Sequence, residues 1–141
     1  MKALTLWQPW ASLIIDGRKT IETRPKPLFT HWRGPVAIHA GLQVDREACD
    51  RFGYTWHAIP RGVILGIVLV ESVAQFPHID FPPDAFGDFT SGRYGALLKL
   101  ITKFPSPVPA KGGQAYGWQW TPPASSYAAE IDTLHWRLAN V

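Results

Sequence analysis

Residues 62–76 carry a dense run of β-branched side chains, and its length reads as a long central strand. A central strand needs partners on both sides, so the chain is committed to a sheet. The run is interrupted by Gly66 and is far too short to cross a bilayer. Tyr94–Phe104 reads as a second strand of the same kind, Lys2–Trp7 as a short first strand and Val36–His39 as a buried one.

Helical signals are few and short. Pro9 suits a helix start, and Trp10, Leu13 and Ile14 recur at helical spacing, which predicts a helix from Pro9 to about Asp16 with Trp10 in the core. A second helix is expected over about 44–52, and Ile131, Leu134 and His135 predict a C-terminal one at about 126–140. Pro25, Pro27, Gly34 and Pro35 bracket a loop around Trp32, and Pro105, Pro107 and Pro109 close the strand before them. The segment Phe81–Ser91, rich in Pro, Asp and Gly, reads as a long loop of the kind that carries function. The expected architecture is one mixed, largely antiparallel α+β domain over 1–141, with peripheral helices and the sheet closed into a barrel.

Seven tryptophans in 141 residues invite a search for a stacking surface. A formal charge of +3 suits an anionic partner without singling one out. Cys49 is the single cysteine, which excludes an internal disulfide, and the histidines at 31, 39, 57, 78 and 135 lack the paired spacing of a zinc site. A reducing, cytoplasmic setting with no membrane span, no metal and no cofactor is expected.

The chemistry concentrates in Gly17-Arg18-Lys19-Thr20-Ile21-Glu22-Thr23-Arg24, at a helix-to-strand junction with Gly17 as the helix stop. Alternation along the strand puts Glu22 and Arg24 on one face. Acid–base chemistry needs a base, a cation or donor for developing negative charge, and a proton donor; Glu22, Lys19 and Arg24 are of those types. Glu22 as base with Lys19 as donor is one assignment, and the reverse is open, since a desolvated lysine can itself be a base. A Glu–Arg pair two apart on a strand is as readily a structural ion pair.

Trp7, Trp32, Tyr116 and Trp118 are candidate stacking residues, although Tyr116, Trp118 and Trp120 at period two also fit a buried face. Gln8 offers an amide, donor and acceptor together, that could bind a polar ligand or cap the first helix. His39 could join the site or sit satisfied in the core. Lys111-Gly112-Gly113 fits an anion-contacting loop or a plain turn, and Ser12 and Thr20 are the hydroxyls nearest the cluster.

Trp7-Gln8-Pro9-Trp10-Ala11, Gly17-Arg18-Lys19 with Glu22 and Arg24, Ile38-His39-Ala40-Gly41, and Pro107-Val108-Pro109-Ala110-Lys111-Gly112 ending in Gly117-Trp118 follow one another in that order. Together they resemble an ASCH domain. The resemblance implies a PUA-like β-barrel with a cleft for RNA or a nucleoside, lined by the G-x-K-x-x-E-x-R segment. Some small bacterial members are amidohydrolases that remove acyl groups from N4-acetylcytidine, and their catalytic lysine maps onto Lys19. Their working threonine falls where this chain has Glu22, the commoner ASCH form.

The function this implies is metal-independent removal of acyl groups from N4-acylated cytosine nucleosides. Lys19, Glu22 and Arg24 would be catalytic, with Trp7, Gln8, Trp32, His39, Lys111 and Gly112 holding substrate. The alternative is a non-catalytic module for single-stranded RNA, with Arg18, Lys26, Arg33 and Lys111 on phosphates, and a ribonuclease is a further one.

Overall fold

The computed structural model describes residues 1–113 and 117–139. In chain order the elements are β1 (Lys2–Gln8), α1 (Trp10–Ile15), β2 (Ile21–Arg24), β3 (Pro35–Val44), α2 (Arg46–Phe52), β4 (Val63–Gln75), β5 (Tyr94–Pro109), β6 (Trp118–Gln119) and α3 (Tyr127–Ala139). The strands form one sheet in the order β2-β5-β4-β3-β1-β6. Neighbours are antiparallel except β1 and β3, which run parallel with Thr5 opposite His39. A parallel pair requires a crossover, and here the crossover contains α1 and β2.

Strand alternation sorts the core into two layers. Leu4, Leu6, Ile38 and Val68 face α1 and pack with Ala11, Ile14 and Ile15. Ala3, Ala37, Ile64 and Ile67 face the other way, against Trp120 and against Ala128 and Ile131 of α3. No helix among the described residues is long and apolar enough to cross a membrane.

The mixed, mostly antiparallel sheet with peripheral helices is as expected, but the barrel does not close. With only four residues β2 pairs solely with β5, and the two residues of β6 pair solely with β1, so among the described residues both ends of the sheet are edges. Bulges bend the long pair β4–β5 instead, and α1 touches β1, β3, β4 and β5 on the resulting surface. Gly66 sits at one of these irregularities, where an added Cβ would collide with the carbonyl oxygen of Thr102. Gly66→Ala is therefore expected to destabilise the fold by about 1–3 kcal/mol, the usual range for overpacking. An unchanged denaturant midpoint would show that β5 can yield there.

A second correction concerns Pro105, Pro107 and Pro109, which lie inside β5 rather than after it. Their alternation sends every missing N–H to the same side. The intervening positions serve the β4 side, as Val108 opposite Ile64 and the bond from Ala110 N to Gly62 O show.

Candidate functional site

The junction between α1 and β2 is built by backbone geometry. Gly17 adopts φ 79°, the left-handed conformation glycine tolerates best. The N–H groups of Gly17 and Arg18 return to the carbonyls of Ile14 and Leu13, the Schellman pattern that ends a helix. The Lys19 N–H also reaches the Leu13 carbonyl, so the chain enters β2 with Lys19 turned inward.

Lys19 is 2% exposed, one of the largest fully buried side chains among the described residues. Its Nζ donates to the carbonyls of Ile21 at 2.8 Å and Phe86 at 2.7 Å, and stands 3.6 Å from Glu22 Oε1. The ammonium also lies 5.8 Å from the centroid of the Trp10 ring. Burial holds the Lys19 pKa below the ordinary lysine value, opposed by the negative charges of Glu22 and Asp84.

Glu22 and Arg24 share a face of β2, as the alternation predicts. Arg24 Nε and Nη2 both donate to Glu22 Oε2, at 3.1 and 3.0 Å. That arrangement leaves Oε1 turned toward Lys19. Glu22 is 8% exposed, so this carboxylate sits between two cations with little water around it.

These groups open on a cleft of about 410 Å³, within the ~300–1,000 Å³ typical of small-ligand sites. Trp7, 52% exposed, and Trp10 line it, together with Ala85–Asp88 of the 81–91 loop. The loop is brought there by Lys19 and by the bond from Asp88 N to Thr23 Oγ1. Gly87 permits this approach, because an added Cβ would stand 2.7 Å from Thr23 Cγ2.

Only part of the expected substrate-binding set reaches the cleft. Gln8 is fully buried; its Oε1 accepts from Ser12 N, and its Nε2 donates to Ser12 Oγ and Pro60 O. It holds the start of α1, satisfying a backbone donor that a helix leaves open there. Trp32 packs on the core, tilted on His135 and beneath the Lys2 ammonium, in a separate groove with Phe29 and His31. Its indole Nε1 is buried without a hydrogen-bond partner among the described residues.

His39 lies on the opposite face of the sheet. Its Nδ1 is 2.9 Å from Thr5 Oγ1 and its Nε2 2.8 Å from the Ala110 carbonyl. Gly112, at φ 81°, packs on that ring. The glycine after Lys111 thus ties its loop to His39 rather than to Lys19. Trp118 joins this group through Thr5 and the edge of His39, and Tyr116 lies outside the described residues. Thr20 is exposed and Ser12 is engaged with Gln8, so neither hydroxyl lines the cleft.

Three contributors were not read from the sequence: Trp10, expected in the core, Arg51 at the end of α2, and the carbonyl of Phe86. All three residues line the cleft. The Pro/Asp/Gly-rich composition of 81–91 was a signal for the loop that carries Phe86; Arg51 gave none.

Among solved structures, the chain is similar to an ASCH protein from Zymomonas mobilis, with 17% identity over 76% of this chain and 71% of that one, and a TM-score of 0.48. One single-residue variant of that protein matches at 18% identity over 76% and 73% of the two chains, with a TM-score of 0.48. Another matches at 16% over 94% of each, again with a TM-score of 0.48. In sequence, residues 4–95 match the ASCH domain. That span holds the α1–β2 junction and the whole Lys19–Glu22–Arg24 cluster, and the chain belongs to the ASCH domain family.

Proposed function

We propose that this protein hydrolyses the exocyclic amide of N4-acylated cytosine nucleosides without a metal. The observation that carries the reading is the buried Lys19–Glu22 pair, 3.6 Å apart, at the wall of a cleft lined by Trp7 and Trp10. The indoles offer the nucleobase a stacking wall, worth ~1–3 kcal/mol per base.

In this mechanism Glu22 takes a proton from water as its oxygen adds to the acyl carbonyl. Lys19, whose ammonium is destabilised by burial, gives its proton to the exocyclic nitrogen as the carbon–nitrogen bond breaks. The products are the free acid and cytidine. Glu22 then returns its proton to Lys19 across the short gap between them, which resets the pair. Arg24 positions the carboxylate and places positive charge near the developing oxyanion.

The test is to incubate the pure protein with N4-acetylcytidine and EDTA and to follow the ultraviolet spectrum for release of cytidine. Steady conversion is expected. No conversion over hours, with bound cytidine detectable by tryptophan fluorescence, would leave a binding module.

That second reading, single-stranded RNA bound without chemistry, is favoured by the exposed Trp7 beside Arg24 and Arg51. It predicts an affinity that falls steeply with salt, as displaced phosphate counterions require.

A further inference from the structure

The charges around the cleft are unevenly matched. Glu22 is shared by Lys19 and Arg24, and Asp88 is held by Thr90 and Arg93. Arg51 has no carboxylate within ion-pair distance among the described residues, and its guanidinium lies 5.0 Å from the centroid of Phe52. Arg46, on the same helix, also has no carboxylate within ion-pair distance among the described residues, but it stacks at 3.8 Å on Trp56 and neither lines the cleft.

Arg51 lines the same cleft as the Lys19–Glu22 pair. Phe52 packs edge-on against Trp10 at 5.8 Å, and Trp10 in turn lies beside the Lys19 ammonium. The unmatched cation, the Trp10 ring and the proposed reaction centre thus line one cleft. A nucleotide carries a group for each: an exocyclic nitrogen on its base for the Lys19–Glu22 pair and a 5′-phosphate for Arg51. The planar guanidinium fork matches phosphate in geometry as well as charge.

We infer that the cleft has an anion-binding end at Arg51, and that its ligand is a nucleotide whose phosphate meets that guanidinium while the base lies against Trp10. This rests on the nucleobase reading of the cleft given above. A charge-assisted hydrogen bond contributes about 1.5–3 kcal/mol, which converts to roughly 10–100-fold in affinity.

The experiment compares N4-acetylcytidine with its 5′-monophosphate as substrates, and cytidine with its 5′-monophosphate as ligands followed by tryptophan fluorescence. Wild-type protein should favour the phosphorylated member of each pair by about 10–100-fold, expressed in KM or Kd. Arg51→Ala should bring both ratios close to one, and Arg51→Lys should restore them only in part. If neither acylated compound is hydrolysed but the phosphorylated ligand still binds more tightly through Arg51, the inference stands and the hydrolase reading falls. Equal hydrolysis of both substrates, with the ratio unmoved in Arg51→Ala, overturns the inference and leaves the hydrolase reading intact. Absence of binding by the monophosphate, or tight binding that appears only with a chain of several nucleotides, also overturns it.

Discussion

Glu22→Gln is expected to reduce turnover of N4-acetylcytidine by about 10²–10⁴-fold, the range a positioned general base contributes, while cytidine binding changes little. The substitution keeps the size of the side chain and an oxygen able to accept from Arg24, so the clamp from Nε and Nη2 has an acceptor in the variant. It removes the negative charge and the lone pair that would take the proton of water. The variant must therefore be read by two measurements together: initial rate from the ultraviolet spectrum, and cytidine affinity from the fluorescence of Trp7 and Trp10. A lost rate with retained affinity assigns Glu22 to the chemical step. A rate within a few-fold of wild type would move the base function to Lys19, and loss of both would mean that the charge serves to hold the cleft together.

How far such a site can be read from sequence depends on the range of the interactions that build it. Asp45 accepting from Ala48 N and Gly53 closing α2 are contacts within a few residues, and so is the Gly17 stop before β2. Glu22 and Arg24 fall together because strand geometry alone places i and i+2 on one side. Such features need no knowledge of the rest of the chain.

Trp10 shows where local reasoning ends. Its helical spacing with Leu13 and Ile14 correctly marks one face of α1, but that face extends beyond the core, and its far end meets Lys19 and Phe52. Whether an indole at that end is covered depends on α2 and on the 81–91 loop, both distant in sequence. His39 and Gly112 failed for the same reason in reverse. Each resembles a site residue locally, yet the parallel pairing of β1 with β3 carries His39 to the face opposite Leu4 and Leu6. Barrel closure likewise depended on how β2 and β6 would pair, which strand count alone does not determine.

Lys19→Met should abolish turnover, and it should also change how stability depends on pH. The substitution keeps an unbranched side chain of similar length, but the carbonyls of Ile21 and Phe86 lose their donor. An unsatisfied buried polar group costs about 1–3 kcal/mol, set against relief from burying an ammonium. One of the two tethers between β2 and the 81–91 loop goes with it, leaving the bond from Asp88 N to Thr23 Oγ1, so amide exchange at Ala85–Gly87 should accelerate in the variant.

The pH dependence separates these opposing effects. In the unfolded chain Lys19 holds its proton up to the ordinary value of 10.5, whereas burial makes the folded protein release it at lower pH. Between those two values the unfolded state binds more protons, so the contribution of Lys19 to stability rises with pH across that window. Below the window the full cost of the buried charge is present; above it, none. The stability of wild type relative to Lys19→Met should accordingly increase as pH is raised toward 10.5 in matched denaturation curves. A difference independent of pH would mean that Glu22 and the two carbonyls compensate the ammonium completely. Lys19 would then be a structural cation with no readiness to give up its proton, and the donor role in hydrolysis would have to pass to another group.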